Sequence, residues 1–223
     1  MKTKQFFVTG TDTEVGKTYV TASLLQQAKM RGITAYGLKP IASGAVVTPD
    51  GLVNQDALSL MAASAPGLSY STCNPFCYEP AIAPHIAAES QGDGLTVELL
   101  HQNLRIPDSD LVLIEGAGGW YLPLNRYQTL AQWVVEQQMP VLLVVGLRLG
   151  CINHGILTAK AIETAGARLA GWYANVCDEK MTAVEENIRT LQAHISAPYW
   201  GYVAKNQAAP FHSDLLLPEY RLY

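Results

Sequence analysis

Residues 10–18 carry the strongest chemical signal in the sequence. They read Gly10-Thr11-Asp12-Thr13-Glu14-Val15-Gly16-Lys17-Thr18, between an apolar strand-like run and a helical stretch. Consecutive backbone N–H groups at a helix start bind phosphate oxygens, the lysine offsets charge on the β- and γ-phosphates, and the threonine hydroxyl can bind Mg²⁺. The segment therefore predicts a phosphate-binding loop, although five residues separate Gly10 from the Gly16-Lys17 pair, where the usual pattern has four. The alternative is an ordinary glycine-containing turn.

Two carboxylates are candidates to bind a cation beside such a loop. Glu115 ends the apolar run 111–114 and precedes Gly116-Ala117-Gly118-Gly119. A charge at the end of a buried strand has to be solvated, paired or metal-bound. Asp56 opens a helical stretch, where it could equally be a cap or a partner of the helix dipole. The pattern favours a functional role for Glu115 and leaves both interpretations open for Asp56.

Alternating apolar runs and helix-period stretches indicate the fold that positions these groups. We expect strands at 5–9, 34–38, 111–115, 141–146, 169–175 and 199–203, and helices at 17–31, 54–63, 97–104, 130–138, 153–165 and 182–195. This alternation predicts an α/β fold, a mainly parallel sheet with helices on both faces, with ligands at the carboxyl ends of the strands. Residues 42–54 and 65–94 interrupt the pattern and are interpreted as long loops. We expect one domain over 1–223.

Composition narrows the class of partner. The 223 residues are 49% hydrophobic and 15% charged, with a formal net charge of −4 and a pI near 5.7. Nothing in this favours nucleic acid or a membrane surface, so small molecules are the expected partners. The chain start has no signal-peptide pattern, and the cysteine spacing fits reduced thiols rather than zinc. A cytoplasmic location is expected.

Five blocks of the sequence together resemble dethiobiotin synthetases in order and spacing. They are residues 10–18, 37–44 (Gly-Leu-Lys-Pro-Ile-Ala-Ser-Gly), 54–57 (Asn-Gln-Asp-Ala), 115–120 (Glu-Gly-Ala-Gly-Gly-Trp), and Gly146 with 150–154 (Gly-Cys-Ile-Asn-His). The longer spacing of the phosphate loop also matches this family. The resemblance implies a P-loop NTPase-like cyclo-ligase of biotin biosynthesis, with ATP as co-substrate and Mg²⁺ as cofactor. Such an enzyme closes the ureido ring of dethiobiotin on 7,8-diaminononanoate with CO₂.

The implied reaction has two stages. An amine of the diamino acid captures CO₂ as a carbamate, which attacks the γ-phosphate and gives a mixed carbamic–phosphoric anhydride. The second amine then closes the ring. Such chemistry requires positive charge at the γ-phosphate and a site that holds the second amine near the activated carbon.

The resemblance also assigns residues to these tasks. Lys17 and Lys39 would be catalytic, and magnesium would be held by Thr18, Asp56 and Glu115. The implied ATP-binding residues are Thr13, Glu14, Val15, Gly16, Lys17, Thr18, Asp56, Glu115, Gly116, Ala117, Gly118 and Asn175. The implied substrate-binding residues are Ser43, Gly150, Cys151, Ile152 and Asn153, the last four reaching the diamino acid of the neighbouring subunit in a homodimer. Asn153 could also be a helix cap, Asn175 an ordinary turn residue, and His85 is interpreted as structural.

Two rival functions remain to be considered. A switch ATPase would hydrolyse ATP with a protein partner, but Asp12, Thr13 and Glu14 do not match the Lys-Gly-Gly loop of such proteins. An amide ligase would need an ammonia source, usually a glutaminase domain.

After Gly201, the family's proline-containing strand end and acidic residue are absent, and the sequence is Tyr202-Val203-Ala204-Lys205-Asn206. The nucleotide base is therefore left open.

Overall fold

The architecture comes from a computed structural model, which describes residues 3–178 and 180–216. In that part of the chain, the strands are β1 (Lys4–Gly10), β2 (Ala35–Leu38), β3 (Ile41–Ala42), β4 (Val46–Thr48), β5 (Gly51–Val53), β6 (Phe76–Cys77), β7 (Leu111–Glu115), β8 (Val141–Leu147), β9 (Leu169–Val176) and β10 (Tyr199–Val203). Six of them form one sheet in the order β10-β9-β8-β1-β7-β2, and every pairing in it is parallel.

Helices cover both faces of this sheet. They are α1 (Lys17–Met30), α2 (Gln55–Ala63), α3 (Tyr70–Cys73), α4 (Pro84–Ser90), α5 (Val97–Asn103), α6 (Leu130–Glu136), α7 (Cys151–Thr164) and α8 (Val184–His194), followed by a 3₁₀ turn, Ser213–Leu215. Side chains of α1 and α2 pack in one core cluster, and those of α4 to α8 pack in the other. The predicted α/β fold with helices on both faces is confirmed.

The register of the parallel strands brings the candidate residues to one edge. Val8 of β1 is paired with Glu115 of β7, Gly10 with Val144 of β8, and Leu38 of β2 with Ile114 of β7. Glu115 therefore ends β7, and the phosphate loop and Lys39 come at the carboxyl ends of the neighbouring strands β1 and β2, which is where ligands bind in such sheets.

All six predicted strands and all six predicted helices are present, with ends that differ by a few residues. The interpretation of 42–54 and 65–94 as loops is wrong in part. The first contains the antiparallel hairpin β4–β5, and the second contains α3, β6 and α4. These elements have too few residues for a hydrophobic period to emerge, and Pro84 lies in the first turn of α4, where proline is tolerated.

One further observation concerns membranes. Within residues 3–178 and 180–216, no helix has both the length and the apolar character that a bilayer crossing requires.

Candidate active site

The phosphate loop joins β1 to α1. Its Thr11 N–H donates to the Val144 carbonyl of β8 at 3.0 Å, and Gly16, at a φ of 84°, directly precedes the helix. A Cβ at residue 16 would lie 2.1 Å from Nδ2 of Asn175, so only glycine fits. The buried Asn175 amide in turn donates to the Val15 carbonyl at 3.0 Å. Strand β9 thus supports the loop from behind, and Asn175 is more than an ordinary turn residue.

The Lys17 side chain folds back over this loop. Its Nζ donates to the Asp12 carbonyl at 2.9 Å, and the side chain is largely buried. Burial, and then repulsion from the charge of Lys39, lower the pKa of Lys17 to about 8. An anion bound in the loop would relieve both effects, since it would offset the charge on this ammonium group.

Lys39 is the centre of a buried charge cluster. Directly after β2, its Nζ lies 2.6 Å from Oε1 of Glu115 and 2.9 Å from Oδ2 of Asp56. Lys39 is 3% exposed and Glu115 is fully buried. Burial disfavours the charged ammonium, but attraction to Glu115 and Asp56 outweighs this effect and raises the pKa of Lys39. Lys39 is therefore a permanent cation at neutral pH and not a proton acceptor.

Asp56 completes the cluster from the first turn of α2. Burial opposes ionisation of its carboxyl group, but Lys39 more than compensates, and its pKa is lowered. Its interpretation as a helix cap is wrong, because the cap is Asn54, whose Oδ1 accepts from the N–H groups of Asp56 at 3.0 Å and Ala57 at 3.3 Å. The Asp56 carboxylate is thereby left to pair with Lys39.

The oxygen atoms around Glu115 fit a magnesium ion. The Thr18 hydroxyl donates to Oε1 of Glu115 at 2.8 Å, while Oε2 of Glu115 is buried without a hydrogen-bond partner. A buried carboxylate oxygen that lacks a partner carries a desolvation cost that a cation would remove. Hydroxyl and carboxylate oxygens are also the ligands that Mg²⁺ prefers. Thr18, Glu115 and the half-exposed Asp56 thus form a suitable donor set.

The glycine-rich segment after β7 lies against the phosphate loop. The Gly116 carbonyl is 3.4 Å from Nζ of Lys39. A Cβ at residue 118 would lie 3.9 Å from Oγ1 of Thr13, which places Gly118 beside the loop. Ala117 lies between these two glycines and packs partly against the core.

The remaining predicted substrate residues lie outside the charge cluster. Ser43 follows β3, and its carbonyl accepts from Nδ2 of Asn54 at 3.1 Å. Residues 150–153 form the start of α7, with Gly150 at the N-cap position. Asn153 is inside the first turn, so the interpretation of Asn153 as a cap is wrong. Its side chain is exposed, that of Ile152 is partly exposed, and Cys151 is buried.

The sequence interpretation missed two supporting residues. Arg148, in the loop after β8, forms an ion pair with Asp12 of the phosphate loop. Asn54 caps α2 and holds Ser43, as described above. Asn54 could have been recognised as a cap from its position before an apolar helical run, whereas no sequence pattern relates Arg148 to Asp12. His85 lies in α4, and its Nδ1 is buried without a partner.

Comparisons with known proteins agree with this geometry. A family described as AAA domain matches residues 4–209. ATP-dependent dethiobiotin synthetase BioD of Yersinia pestis bv. Antiqua is 48% identical over 215 residues, covering 96% of this chain and 87% of that protein. The enzyme of the same name from Cellvibrio japonicus is 47% identical over 222 residues, covering 96% and 97%.

Solved structures agree on the fold alone. The septum site-determining protein MinD of Pyrococcus horikoshii, complexed with Mg-ADP, has a TM-score of 0.54 at 14% identity, covering 91% of this chain and 82% of that one. Signal recognition particle 54 kDa protein of Aeropyrum pernix gives 0.53 at 12% identity, covering 94% and 43%. The fold is therefore P-loop NTPase-like, and the sequence relatives identify the chain as a member of the ATP-dependent dethiobiotin synthetase family.

Proposed function

We propose that this protein forms dethiobiotin from 7,8-diaminononanoate, CO₂ and ATP as a carbon–nitrogen cyclo-ligase of biotin biosynthesis. The observation that carries the proposal is the buried lysine cluster. Lys39 lies between Glu115 and Asp56, and Thr18 joins Glu115 to the phosphate loop. A fixed cation beside a phosphate loop suits a reaction in which an anionic nucleophile meets an anionic phosphate.

The two lysines have different tasks. A carbamate that attacks the γ-phosphorus is itself negatively charged, so the two reactants repel each other. Lys39, kept charged by two carboxylates, stabilises the carbamate and the γ-phosphate together without any proton transfer. Lys17 offsets charge on the phosphates, which in turn raise the pKa of Lys17 when they bind. The carbamate oxygen thus bonds to phosphorus as the bond to ADP breaks, and ring closure later releases phosphate.

Thr18, Asp56 and Glu115 would hold Mg²⁺. When bound, the cation neutralises charge on the phosphate oxygens. The supporting observations are the oxygen-only donor set and the buried Oε2 atom of Glu115 that has no partner. The nucleotide would rest on residues 13–18 and 116–118, with its base near Asn175.

The diamino acid would be shared between two subunits. The first N–H groups of a helix lack intrahelical partners, and α7 begins without a side-chain cap. The Cys151 N–H donates to the Arg148 carbonyl at 2.9 Å, so the other N–H groups of residues 150–153 are the ones that would receive a carboxylate. Ser43 would contact the same substrate. Leu149, immediately before this segment, is 98% exposed, so its apolar side chain is available to pack against a second subunit. A homodimer follows from the shared substrate site. The cytoplasmic location is proposed separately, because the spacing of the cysteines fits reduced thiols.

The test is ATP-dependent incorporation of labelled bicarbonate with purified protein, 7,8-diaminononanoate and Mg²⁺. Acid-stable label in dethiobiotin is expected for the wild type, and its loss is expected in Lys39→Ala and Glu115→Ala. Lys160→Ala, an exposed lysine of α7, is the matched control and should retain activity. No incorporation despite intact ATP binding would refute the proposal and favour a switch ATPase. Comparing ATP, CTP and GTP would define the base preference.

A further inference from the structure

We propose that Asn54, Tyr70 and Asn74 form a hydrogen-bond relay that positions Lys39, Ser43 and Asp56 for the reaction. This inference rests on the proposed function, because the three positioned residues are the ones assigned there to substrate, charge and metal. The relay residues are positioning residues rather than catalytic residues, since they act through Lys39, Ser43 and Asp56.

The relay begins at the backbone of Lys39. The Lys39 carbonyl accepts from Nδ2 of Asn74 at 2.6 Å. Oδ1 of Asn74 accepts from the Tyr70 hydroxyl at 2.9 Å. The Tyr70 oxygen in turn accepts from the backbone N–H of Asn54 at 2.7 Å. Three consecutive bonds therefore connect the strand end that carries Lys39 to the start of α2.

The Asn54 side chain divides the relay into two branches. Its Oδ1 accepts from the N–H groups at the start of α2, including that of Asp56 at 3.0 Å, while its Nδ2 donates to the Ser43 carbonyl at 3.1 Å. The lysine, the aspartate and the serine are thus tied to one hydrogen-bonded unit, although residues 44–53 separate the serine from Asn54 in the chain.

The direction of each bond in the relay is determined by the backbone at its two ends. A carbonyl can only accept, so Nδ2 of Asn74 faces the Lys39 carbonyl and Oδ1 of Asn74 is left to accept from Tyr70. The Tyr70 oxygen accepts from the Asn54 N–H, and its proton goes to Oδ1 of Asn74 at 2.9 Å in preference to the sulfur of Cys77 at 3.4 Å, which is a weak acceptor. Asn74 is 3% exposed and Asn54 is 8% exposed. Buried amides that lose a partner are costly, so the relay has no equivalent alternative arrangement.

The relay would keep the distances between the charged groups of the site constant. Lys39 has to lie within 2.9 Å of two carboxylates that come from different elements. Helix α2 packs on β2 through Leu60, one turn beyond Asp56, so the relay adds a second attachment at the start of the helix, where Asp56 lies. A helix start held to the Lys39 backbone keeps the Lys39–Asp56 distance constant while substrates enter. Because misplacement of reacting groups by about 1 Å can reduce a rate by about 100-fold, the relay should affect kcat more than nucleotide binding.

The experiment compares Tyr70→Phe with Tyr36→Phe. Each removes one hydroxyl, but that of Tyr36 donates to the Pro66 carbonyl at 3.1 Å, away from the relay. We expect Tyr70→Phe to lower kcat for dethiobiotin formation by about 10- to 100-fold with little change in the Kd of ATP, and Tyr36→Phe to keep wild-type values. Asn74→Asp, which keeps the shape but cannot donate to the Lys39 carbonyl, should lower kcat as well.

A second readout does not depend on the reaction. Lys39 should be protected from amine-labelling reagents in the wild type, and mass spectrometry should show greater labelling of Lys39 in Tyr70→Phe but not in Tyr36→Phe. A Tyr70→Phe protein with wild-type kcat overturns the inference. If the wild type makes no dethiobiotin, the proposed function is refuted, and Lys39 labelling alone decides: increased labelling in Tyr70→Phe supports the relay, and unchanged labelling overturns it.

Discussion

The charge cluster around Lys39 and the exposed start of α7 are two opposite parts of one proposed site. Lys39 and Glu115 are buried and paired with each other, so their geometry exists before any ligand binds. Leu149 and Asn153 are exposed, and α7 begins without a side-chain cap. The lysine and the two carboxylates of the phosphate side are therefore already positioned within the chain, whereas the diamine side needs a substrate or a second subunit to be complete.

This difference has an energetic reason. Two buried charges must be paired, because each one alone would carry a desolvation cost of several kcal/mol, so the phosphate side has to form during folding. An exposed backbone N–H group is solvated by water and costs nothing before binding. Substitutions in the charge cluster should therefore affect folding and chemistry. Substitutions at the start of α7 should affect assembly and substrate affinity.

The largest expected effect is on stability, from Lys39→Ala. It leaves the buried Glu115 carboxylate without its cation and should lower the free energy of unfolding by about 3–5 kcal/mol, measured by urea denaturation. The double variant Lys39→Ala/Glu115→Gln should recover part of this loss, because no unpaired charge remains. A double variant no more stable than Lys39→Ala would contradict the view of the cluster as a buried pair.

On the diamine side, Leu149→Asp should break assembly without affecting folding. We expect a monomer by light scattering and an increase in KM for the diamine of about tenfold or more, with unchanged ATP affinity. Met30→Asp, which replaces an apolar residue of α1 that is 71% exposed, is the matched control and should remain a dimer. A wild-type protein that is monomeric at working concentration would refute the shared site.

Lys17 of the phosphate loop differs from both parts, because its charge depends on pH near neutrality. Its pKa is about 8 in the free protein, and bound phosphate should raise it, so binding takes up a proton above that pH. ATP affinity should be constant below pH 8 and fall by up to about tenfold per pH unit above it. Calorimetry in buffers of different ionisation enthalpy measures this uptake. Lys17→Met should bind more weakly and show no such proton uptake, and equal uptake in both proteins would contradict the assignment.

Asn175→Ala tests the support behind the phosphate loop. It removes the donor to the Val15 carbonyl and should cost about 1–2 kcal/mol of stability, together with a loss of preference among ATP, CTP and GTP. Asn103→Ala, which removes an exposed amide that donates to the Leu99 carbonyl, should change neither property. If Asn175→Ala keeps the wild-type base preference, Asn175 supports the phosphate loop but does not recognise the base.

The smallest effect is expected at a solvated ion pair. Arg189 and Glu186 of α8 are 2.9 Å apart, with both side chains more than half exposed. Arg189→Ala should change the free energy of unfolding by no more than about 0.5 kcal/mol, measured in the same urea experiment. A loss as large as that in Lys39→Ala would mean that burial is not what distinguishes the two pairs.

Much of the fold could be predicted because its long elements carry their own pattern. The strand around Leu113 is continuously apolar, and Val20, Leu24 and Ala28 follow the period of a helix and are fully buried. The four-residue helix α3 and the two-residue strands β3 and β6 are too short for any period. Their positions follow from contacts with distant segments, such as the bond from the Lys39 N–H to the Cys73 carbonyl at 2.8 Å.

The candidate site likewise has a part that could be predicted from the sequence and a part that could not. The sequence by itself determined the phosphate loop, because the Gly-Lys-Thr group, the strand before it and the helix after it are adjacent in the chain. It also indicated that Glu115 and Lys39 follow strand ends. Only the tertiary structure decided that Lys39 pairs with both Glu115 and Asp56, that Asn54 rather than Asp56 caps α2, and that Asn175 supports Val15. These contacts join residues that are distant in the chain, and they form because buried charges and amides have to find partners where the packed sheet brings them together.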